Sequence, residues 1–211
     1  MKKILIGTTN PAKIKKFAQL LSGYAASFYT LGDLDITAEP QEQGKTPEEN
    51  AVLKARFYGK YFDPVICNDS GLYFDGLALN DPRQPGLNIR TPNGEPRLDD
   101  EQMISYYSAL IHSLGGKVPA YYLDGAAVYS AGRIYSMMEN GGEAAKRTFY
   151  MTDRPSPKRH IGWPLDSLSL RRDTLTYFID EENSPDPAMT GEESDPYEER
   201  LTAFLVQALG L

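Results

Sequence analysis

Two carboxylates in polar stretches are the first candidates for chemistry in this sequence. Asp69 stands between Asn68 and Ser70 in "NDSGLYFDGL", directly after a short apolar run that ends at Cys67. Glu42 precedes it, in a polar loop. Mg²⁺ usually takes one or two carboxylates and completes its shell with water and phosphate oxygens, so such a pair facing a phosphate chain would suit it. The alternative for Glu42 is an ordinary solvated loop charge, and the fold decides between the two.

The stretch "IGTTNPAK" offers a second kind of chemistry, the binding of an anion. A strand that ends in Thr8 and Thr9 and enters a helix presents backbone N–H groups at the positive end of the helix dipole, which together bind phosphate. Lys13, in the first helical turn, adds a mobile cation. The pattern is not the GxxxxGK[ST] phosphate loop. A plain strand-to-helix junction capped by Asn10 is the structural alternative.

The elements that must position these residues alternate between strand and helix. Apolar runs predict a strand at 4–6, an extended segment at 27–31 and a strand that ends at Cys67. Capping residues predict one helix from Pro11 and another from Pro47 to about Tyr61. The second helix would begin with a capping box formed by Thr46 and Glu49. Ligands collect beyond the carboxyl ends of the strands in an open α/β sheet. We therefore expect the Thr8–Lys13 turn, Glu42 and Asp69 to converge there.

The later half of the chain has a different pattern. It predicts a capped helix that ends at Gly115 and Gly116, two or three antiparallel strands within 118–151, a strand at 173–180 and a closing helix over 197–209. The predicted fold class is therefore α/β, with a central mixed sheet flanked by helices and a second, smaller antiparallel lobe. We expect residues 1–211 to form a single domain of two lobes with a cleft between them.

Composition limits the partners and the compartment. The chain has 211 residues and a formal charge of −7, which argues against a surface that grips a nucleic-acid polymer. Its single cysteine, Cys67, cannot form an internal disulfide, so a reducing, cytoplasmic setting is expected. No stretch approaches the roughly 20 apolar residues that a membrane span needs, so no membrane partner is expected.

Four motifs, in order, resemble a known family. "TTNPAK", "TPEENAVLKA", "NDSGLYFDGL" and "PGLNIR" are similar to segments of the inosine triphosphatase or Ham1-like family of nucleoside triphosphate pyrophosphatases. That family shows a Thr/Ser-Gly-Asn-x-x-Lys opening, a Glu-Asn-Ala-x-x-Lys-Ala helix and an Asp-Asp-Ser-Gly-Leu strand end. The resemblance covers residues 3–90, and the ordered set is more specific than any one motif.

The resemblance implies roles for particular residues. Lys54 would reach the phosphates, Glu42 would hold the metal, and Asp69 would bind the metal or act as the general base that activates the attacking water. The implied substrate contacts are Thr8, Thr9, Asn10, Lys13, Ser70 and Arg90. It further implies a nucleoside triphosphate or deoxynucleoside triphosphate as substrate, Mg²⁺ as cofactor and a homodimer.

The sequence also departs from the family pattern. Asn68 stands where the family has the first of two aspartates, which removes a charge but keeps a hydrogen-bonding side chain. "IGWPLDSL" stands in place of the family's base-reading Phe-Gly-Tyr-Asp-Pro segment, so Trp163 could stack on a base and Asp166 could accept hydrogen bonds; a partly buried core position is the alternative for Trp163. The family's Ser-His-Arg segment has no counterpart near Tyr197, so we expect a base preference altered from inosine and xanthosine.

The resulting prediction is a Mg²⁺-dependent pyrophosphatase. Water attacks the α-phosphorus, pyrophosphate leaves, and the metal with the lysines neutralises the charge that shifts to the leaving oxygens. Two alternatives stay open. The chain could be a nucleotide-binding or sensing protein of the same fold that has lost catalysis, or an interaction subunit that uses the fold as a scaffold.

Overall fold

The computed structural model describes residues 1–94, 96–183 and 195–211. These residues form two compact units, the first built from 1–70, 123–143 and 195–211, and the second from 71–122 and 144–183. The α/β class, the mixed sheet with flanking helices and the antiparallel part are confirmed. The predicted cleft between two lobes stays a prediction.

The helices and strands alternate through the first half of the chain, as expected. They are β1 (Lys2–Ile6), α1 (Pro11–Leu20), β2 (Ala26–Thr30), α2 (Pro47–Tyr58), β3 (Val65–Phe74), α3 (Asp100–Ser113), β4 (Lys117–Ser130), β5 (Arg133–Met138), α4 (Gly141–Lys146), β6 (Phe149–Thr152), β7 (Ser169–Leu170) and α5 (Pro196–Leu209). Within the described ranges, no helix is both long enough and apolar enough to cross a membrane.

The sheet of the first unit is covered by helices on both faces. β1 pairs in parallel with β2 along its length and with β3 at its last two residues, while β4 pairs antiparallel with β5. Ile4 and Ile6 pack with Phe17 of α1 and with leucines of α5. Leu5 faces the other way, into the cluster that contains Ala51 and Ala55 of α2. The continuous apolar run at 4–6 therefore reflects a strand buried on both faces.

The second unit has its own core and antiparallel strands. The first part of β4 pairs with β6, and β6 pairs with β7. Tyr107 and Ile111 of α3 pack with Phe149 and Met151 of β6. Helix α3 opens with a capping box between Asp99 and Gln102, and a paired start of this kind fixes the helix register.

The predicted end of a strand at Cys67 is wrong, because β3 continues through the polar residues to Phe74. The parallel pairing of β1 with β3 ends at Ile6 and Ile66, but β4 remains beside β3 in the sheet. A strand that keeps one neighbour still satisfies half of its backbone groups, so it can continue. Asp69 therefore lies within a strand, just past the point where the neighbouring strand β1 has ended.

The predicted strand at 173–180 is also wrong. The segment contains an isolated bridge between Leu170 and Tyr177, and a 3₁₀ helix begins at Phe178. Leu175 has a φ of 56°, in the left-handed region, and its N–H donates to the carbonyl of Arg171. Alternation of apolar and polar residues misled the prediction, because a left-handed residue reverses the chain before a second strand can form.

The start of α2 differs in detail from the predicted capping box. The Thr46 hydroxyl accepts from the Glu49 N–H, as expected, at 3.1 Å. The Glu49 carboxylate, however, accepts from the Lys45 N–H at 2.6 Å instead of returning to Thr46. The helix ends at Tyr58, three residues before the predicted Tyr61. These contacts anchor the loop that carries Glu42 to the first turn of α2.

Candidate functional site

Lys54 joins the two carboxylates that the sequence singled out. Its Nζ lies 3.0 Å from Oε2 of Glu42 and 2.8 Å from Oδ1 of Asp69. The side chains of Lys54 and Asp69 are only 14% and 11% exposed, whereas that of Glu42 is 42% exposed. Glu42 of the loop and Asp69 of β3 therefore meet at one cation of α2, Lys54.

The electrostatics keep Lys54 charged. Burial by itself lowers the pKa of an ammonium, but the attraction of Asp69 and Glu42, together with their hydrogen bonds, outweighs it and raises the pKa of Lys54. A cation held this way offers a fixed positive charge beside two carboxylates. Such a charge suits the stabilisation of a phosphoryl group whose charge is shifting.

Several backbone N–H groups at the start of α1 already donate hydrogen bonds to side chains of the preceding turn. The Asn10 side chain accepts from the N–H groups of Ala12 and Lys13, and the Asn10 N–H donates to the Thr8 hydroxyl at 3.2 Å. Thr9 is not among the described non-glycine residues with positive φ, so this turn holds a β-branched residue without backbone strain. Anion binding here would therefore depend on the Lys13 ammonium and the hydroxyls more than on those two N–H groups.

The charges of Lys54, Asp69 and Glu42 also act on Lys13. Its pKa is lowered, first by burial and next by the positive charge of Lys54, while Asp69, Asp124 and Glu42 act in the opposite direction. Asp124, on β4, is a residue that the sequence did not point to. It sits in an apolar and small-residue strand pattern, and only the tertiary fold brings it close enough to Lys13 to influence its pKa.

Replacing Lys13 by Met should raise the melting temperature at pH 7. The lowered pKa means that the charged form is less favourable in the folded state than in the unfolded state. This cost is complete below the folded pKa and shrinks as pH rises from there toward the ordinary value of 10.5. When thermal unfolding is followed from pH 7 upward, the difference in melting temperature between Lys13→Met and wild type should therefore become smaller. Lys15→Met, an exposed position on the same helix, is the control, and a gap that does not depend on pH would contradict the assignment.

Asn50 is a second residue that the sequence reasoning missed. It is 4% exposed, and its Nδ2 donates to Oδ2 of Asp69 at 2.9 Å. Asn50 and Lys54 are four residues apart on α2, a spacing that places both on one helix face. That spacing was the available signal, because a polar residue one turn before a lysine on the same helix face can share the partner of that lysine.

Asn68 and Ser70 alternate with Asp69 along β3. Neighbouring side chains of a strand point to opposite faces, so neither of them shares the face of Asp69. The Oδ1 atom of Asn68 is buried and accepts no hydrogen bond from any described residue. Only the backbone carbonyl of Asn68 comes near Lys54, with 3.5 Å between oxygen and Nζ. The role of Ser70 as a substrate contact stays a prediction.

The other predicted substrate contacts belong to the second unit and have partners there. Arg90 donates to the carboxylate of Asp100 at 2.8 Å. The Asp166 carboxylate lies 2.9 Å from Nδ1 of His160, and Trp163 is half-buried just before a 3₁₀ turn. Substrate binding by Arg90, Trp163 and Asp166 stays a prediction.

The residues fit a divalent cation that is held only in part by protein. Among the residues that the structure describes, no group of three or more His, Cys, Asp or Glu side chains could form a metal cage. Mg²⁺ needs no such cage, since it takes one or two carboxylates and leaves the rest of its shell to water and phosphate. Around Lys13, three carboxylates also outnumber the two lysines, so an added cation would be needed to make the site attractive to a triphosphate.

Comparison with known proteins matches the part of the chain that contains Glu42, Lys54 and Asp69. The model of the Ham1 family matches residues 4–130. A dITP/XTP pyrophosphatase of Thermoanaerobacter pseudethanolicus is 41% identical over 86 residues, which cover 40% of this chain and 41% of that protein. A dITP/XTP pyrophosphatase of Bacillus subtilis is 34% identical over 111 residues, which cover 52% of this chain and 54% of that protein. The chain thus matches about half or less of the length of these relatives.

Solved structures extend the likeness of fold over nearly the whole chain. The Ham1 protein of Staphylococcus aureus is 22% identical with a TM-score of 0.64, and the match covers 98% of this chain and 99% of that one. A HAM1 protein of Coxiella burnetii is 19% identical with a TM-score of 0.68, and the match covers 98% of this chain and 100% of that one. With the family model matching more than half of the residues, the chain belongs to the Ham1 family.

Proposed function

We propose that the chain is a Mg²⁺-dependent pyrophosphatase that hydrolyses a nucleoside or deoxynucleoside triphosphate to the monophosphate and pyrophosphate. The observation that carries the proposal is the ammonium of Lys54, held 3.0 Å from Glu42 and 2.8 Å from Asp69, with Lys13 in the same electrostatic environment. Paired carboxylates and fixed lysines are what phosphoryl chemistry needs, because it relies on positioning and charge stabilisation.

The reaction uses Asp69 as the base. The oxygen of a water molecule forms a bond to the α-phosphorus while the bond from that phosphorus to the oxygen bridging to the β-phosphate breaks. Asp69 takes a proton from the water, and pyrophosphate leaves. Lys54 and Lys13 bind the phosphates and attract the charge that develops on the leaving oxygens. A divalent cation held by Glu42 and Asp69 would neutralise further charge on the phosphate oxygens.

Asp69 has the capacity for this role despite its two partners. Lys54 occupies Oδ1 and Asn50 occupies Oδ2. An ionised carboxylate offers about four lone-pair sites, so one site on each oxygen remains for a water proton or a cation. Thr8, Thr9, Asn10, Lys13 and Ser70 are proposed to contact the substrate in the first unit, and Arg90, Trp163 and Asp166 in the second.

The base preference is proposed to differ from inosine and xanthosine. The match to the family model ends at residue 130, before Trp163, Asp166 and the segment without a Ser-His-Arg motif. The relatives named dITP/XTP pyrophosphatase likewise match only part of the chain. These matches therefore give no support for carrying over the relatives' dITP/XTP preference, because the residues proposed to read the base lie in the later half of the chain.

A substrate panel tests the proposal. Pyrophosphate release should be measured for inosine, xanthosine and the common ribo- and deoxynucleoside triphosphates, with Mg²⁺ and with a chelator. We expect Mg²⁺-dependent release from at least one triphosphate, with inosine triphosphate not preferred. A clear preference for inosine triphosphate would contradict the altered selectivity, and tight nucleotide binding without release would favour a sensing protein.

The remaining proposals rest on the resemblance and on composition. We propose a homodimer in the cytoplasm, with no nucleic-acid polymer and no membrane as partner. The formal charge of −7 supports the absence of a nucleic-acid surface, because such surfaces cluster lysine and arginine.

A further inference from the structure

We infer that Asn50 is a positioning residue that fixes the Asp69 carboxylate and the loop carrying Glu42 to one point of α2. The inference rests on the proposed function, because positioning is meaningful only for a site that Asp69 and Glu42 share. It adds a residue that the resemblance did not assign to the reaction.

The two ends of the Asn50 amide have different partners. Its Oδ1 accepts from the Gly44 N–H at 2.8 Å, and its Nδ2 donates to Oδ2 of Asp69 at 2.9 Å. A backbone N–H can only donate and an ionised carboxylate can only accept, so the amide has one orientation that satisfies both. No aliphatic side chain and no carboxylate can replace it in both contacts.

Burial makes these contacts hard to substitute by water. Asn50 is 4% exposed and Asp69 is 8% exposed. A polar group buried to this extent requires a partner within the protein. The amide is therefore committed to Gly44 and Asp69, and it holds the loop and the strand at fixed distances from α2.

Gly44 is shaped for this contact. A Cβ built on Gly44 would lie 2.6 Å from Oδ1 of Asn50 and 2.8 Å from its backbone nitrogen. Any side chain at position 44 would push the loop away from the helix, and with it Glu42, two residues earlier. The close approach is an observation independent of the hydrogen bonds, and both place Asn50 at the junction of the loop and the helix.

Asn50 and Lys54 together set the plane of the Asp69 carboxylate. They lie one helical turn apart and bind different oxygens of it, Oδ2 and Oδ1 respectively. Two donors on one rigid helix face leave the carboxylate little freedom to rotate. The free lone pairs of Asp69 therefore keep a constant direction, which is what a base aimed at a water molecule requires.

The test uses the full chain with Asn50→Asp, alone and combined with Asp69→Asn. The single change keeps an acceptor for Gly44 but places two carboxylates against each other. We expect a lower melting temperature and at least a tenfold loss of kcat, with KM for the best triphosphate changed by less than about threefold. In the double variant the amide at position 69 can donate to the carboxylate at position 50, so we expect the melting temperature to recover and kcat to stay low.

Controls separate this role from a purely structural one. Glu48→Gln alters another contact of the same helical turn, to the Ser136 hydroxyl, and should leave kcat within about twofold because that contact involves neither Asp69 nor the loop that carries Glu42. Wild-type kcat in Asn50→Asp, or a double variant that regains no thermal stability or does not fold, would overturn the inference. Absence of pyrophosphatase activity in the wild type would instead overturn the proposed function, and the melting temperatures would still decide the pairing of positions 50 and 69.

Discussion

Asp69→Asn should reduce kcat for pyrophosphate release by about 10²- to 10⁴-fold, the range that a positioned general base contributes. The amide is nearly the same size as the carboxylate but has only one acceptor oxygen, so one of the two donors, Nδ2 of Asn50 or Nζ of Lys54, loses its hydrogen-bond partner. What is lost is the negative charge that takes the proton and attracts a cation. The donor left without an acceptor should also lower the free energy of unfolding, by about 1–3 kcal/mol, so kcat is compared at a temperature at which both proteins are folded.

The measurement is kcat at saturating triphosphate and Mg²⁺, with the melting temperature recorded for each protein. Asp33→Asn is the matched control, because Asp33 is a carboxylate of the same unit that accepts from the N–H and the hydroxyl of Thr30, away from Lys54. We expect the control to keep kcat within about twofold. An Asp69→Asn protein that retains half or more of the wild-type kcat would remove Asp69 from the role of base.

Much of this site was predictable from the sequence because its parts have local signals. Asn10 before Pro11 and Thr46 before Pro47 place the starts of two helices, and both caps are present. Apolar runs place β1 before the first of these helices and the beginning of β3 after the second. Parallel strands then bring their carboxyl ends to one edge, which is why the Thr8–Lys13 turn, Glu42 and Asp69 could be expected together, while Lys54 came from the resemblance.

The rest depends on pairing between distant segments. The end of β3 was misplaced because a polar residue within a strand is satisfied by partners such as Asn50, which cannot be read from its own neighbourhood. Asp124 was missed for the same reason, since only the tertiary fold brings it close enough to influence the pKa of Lys13. The left-handed Leu175 has no turn residue to announce it, so its alternating segment suggested a strand.

Lys54→Gln should have the second large effect, a loss of about 10²- to 10³-fold in kcat/KM, comparable with removal of one preorganised charge-stabilising donor. The variant leaves Asp69 largely buried without its ammonium, so the free energy of unfolding should also fall, by about 1–3 kcal/mol. Lys60→Gln is the control, because Lys60 follows the same helix but contacts the ring of Phe57. A Lys54→Gln protein with kcat/KM within threefold of wild type would contradict the assigned role.

The Mg²⁺ dependence of Lys54→Gln shows whether the Lys54 ammonium competes with the cation or positions the two carboxylates that bind it. In the wild type the ammonium lies within 3.0 Å of both carboxylates that are proposed to hold the cation, so the two positive charges compete for the same oxygens. Without the ammonium, Glu42 and Asp69 should attract Mg²⁺ more strongly, and half-maximal activity should occur at a lower Mg²⁺ concentration although the maximum is reduced. A higher Mg²⁺ requirement would instead indicate that Lys54 organises the carboxylates for the cation. Activity titrations of wild type, Lys54→Gln and Lys60→Gln at saturating triphosphate decide between these two roles.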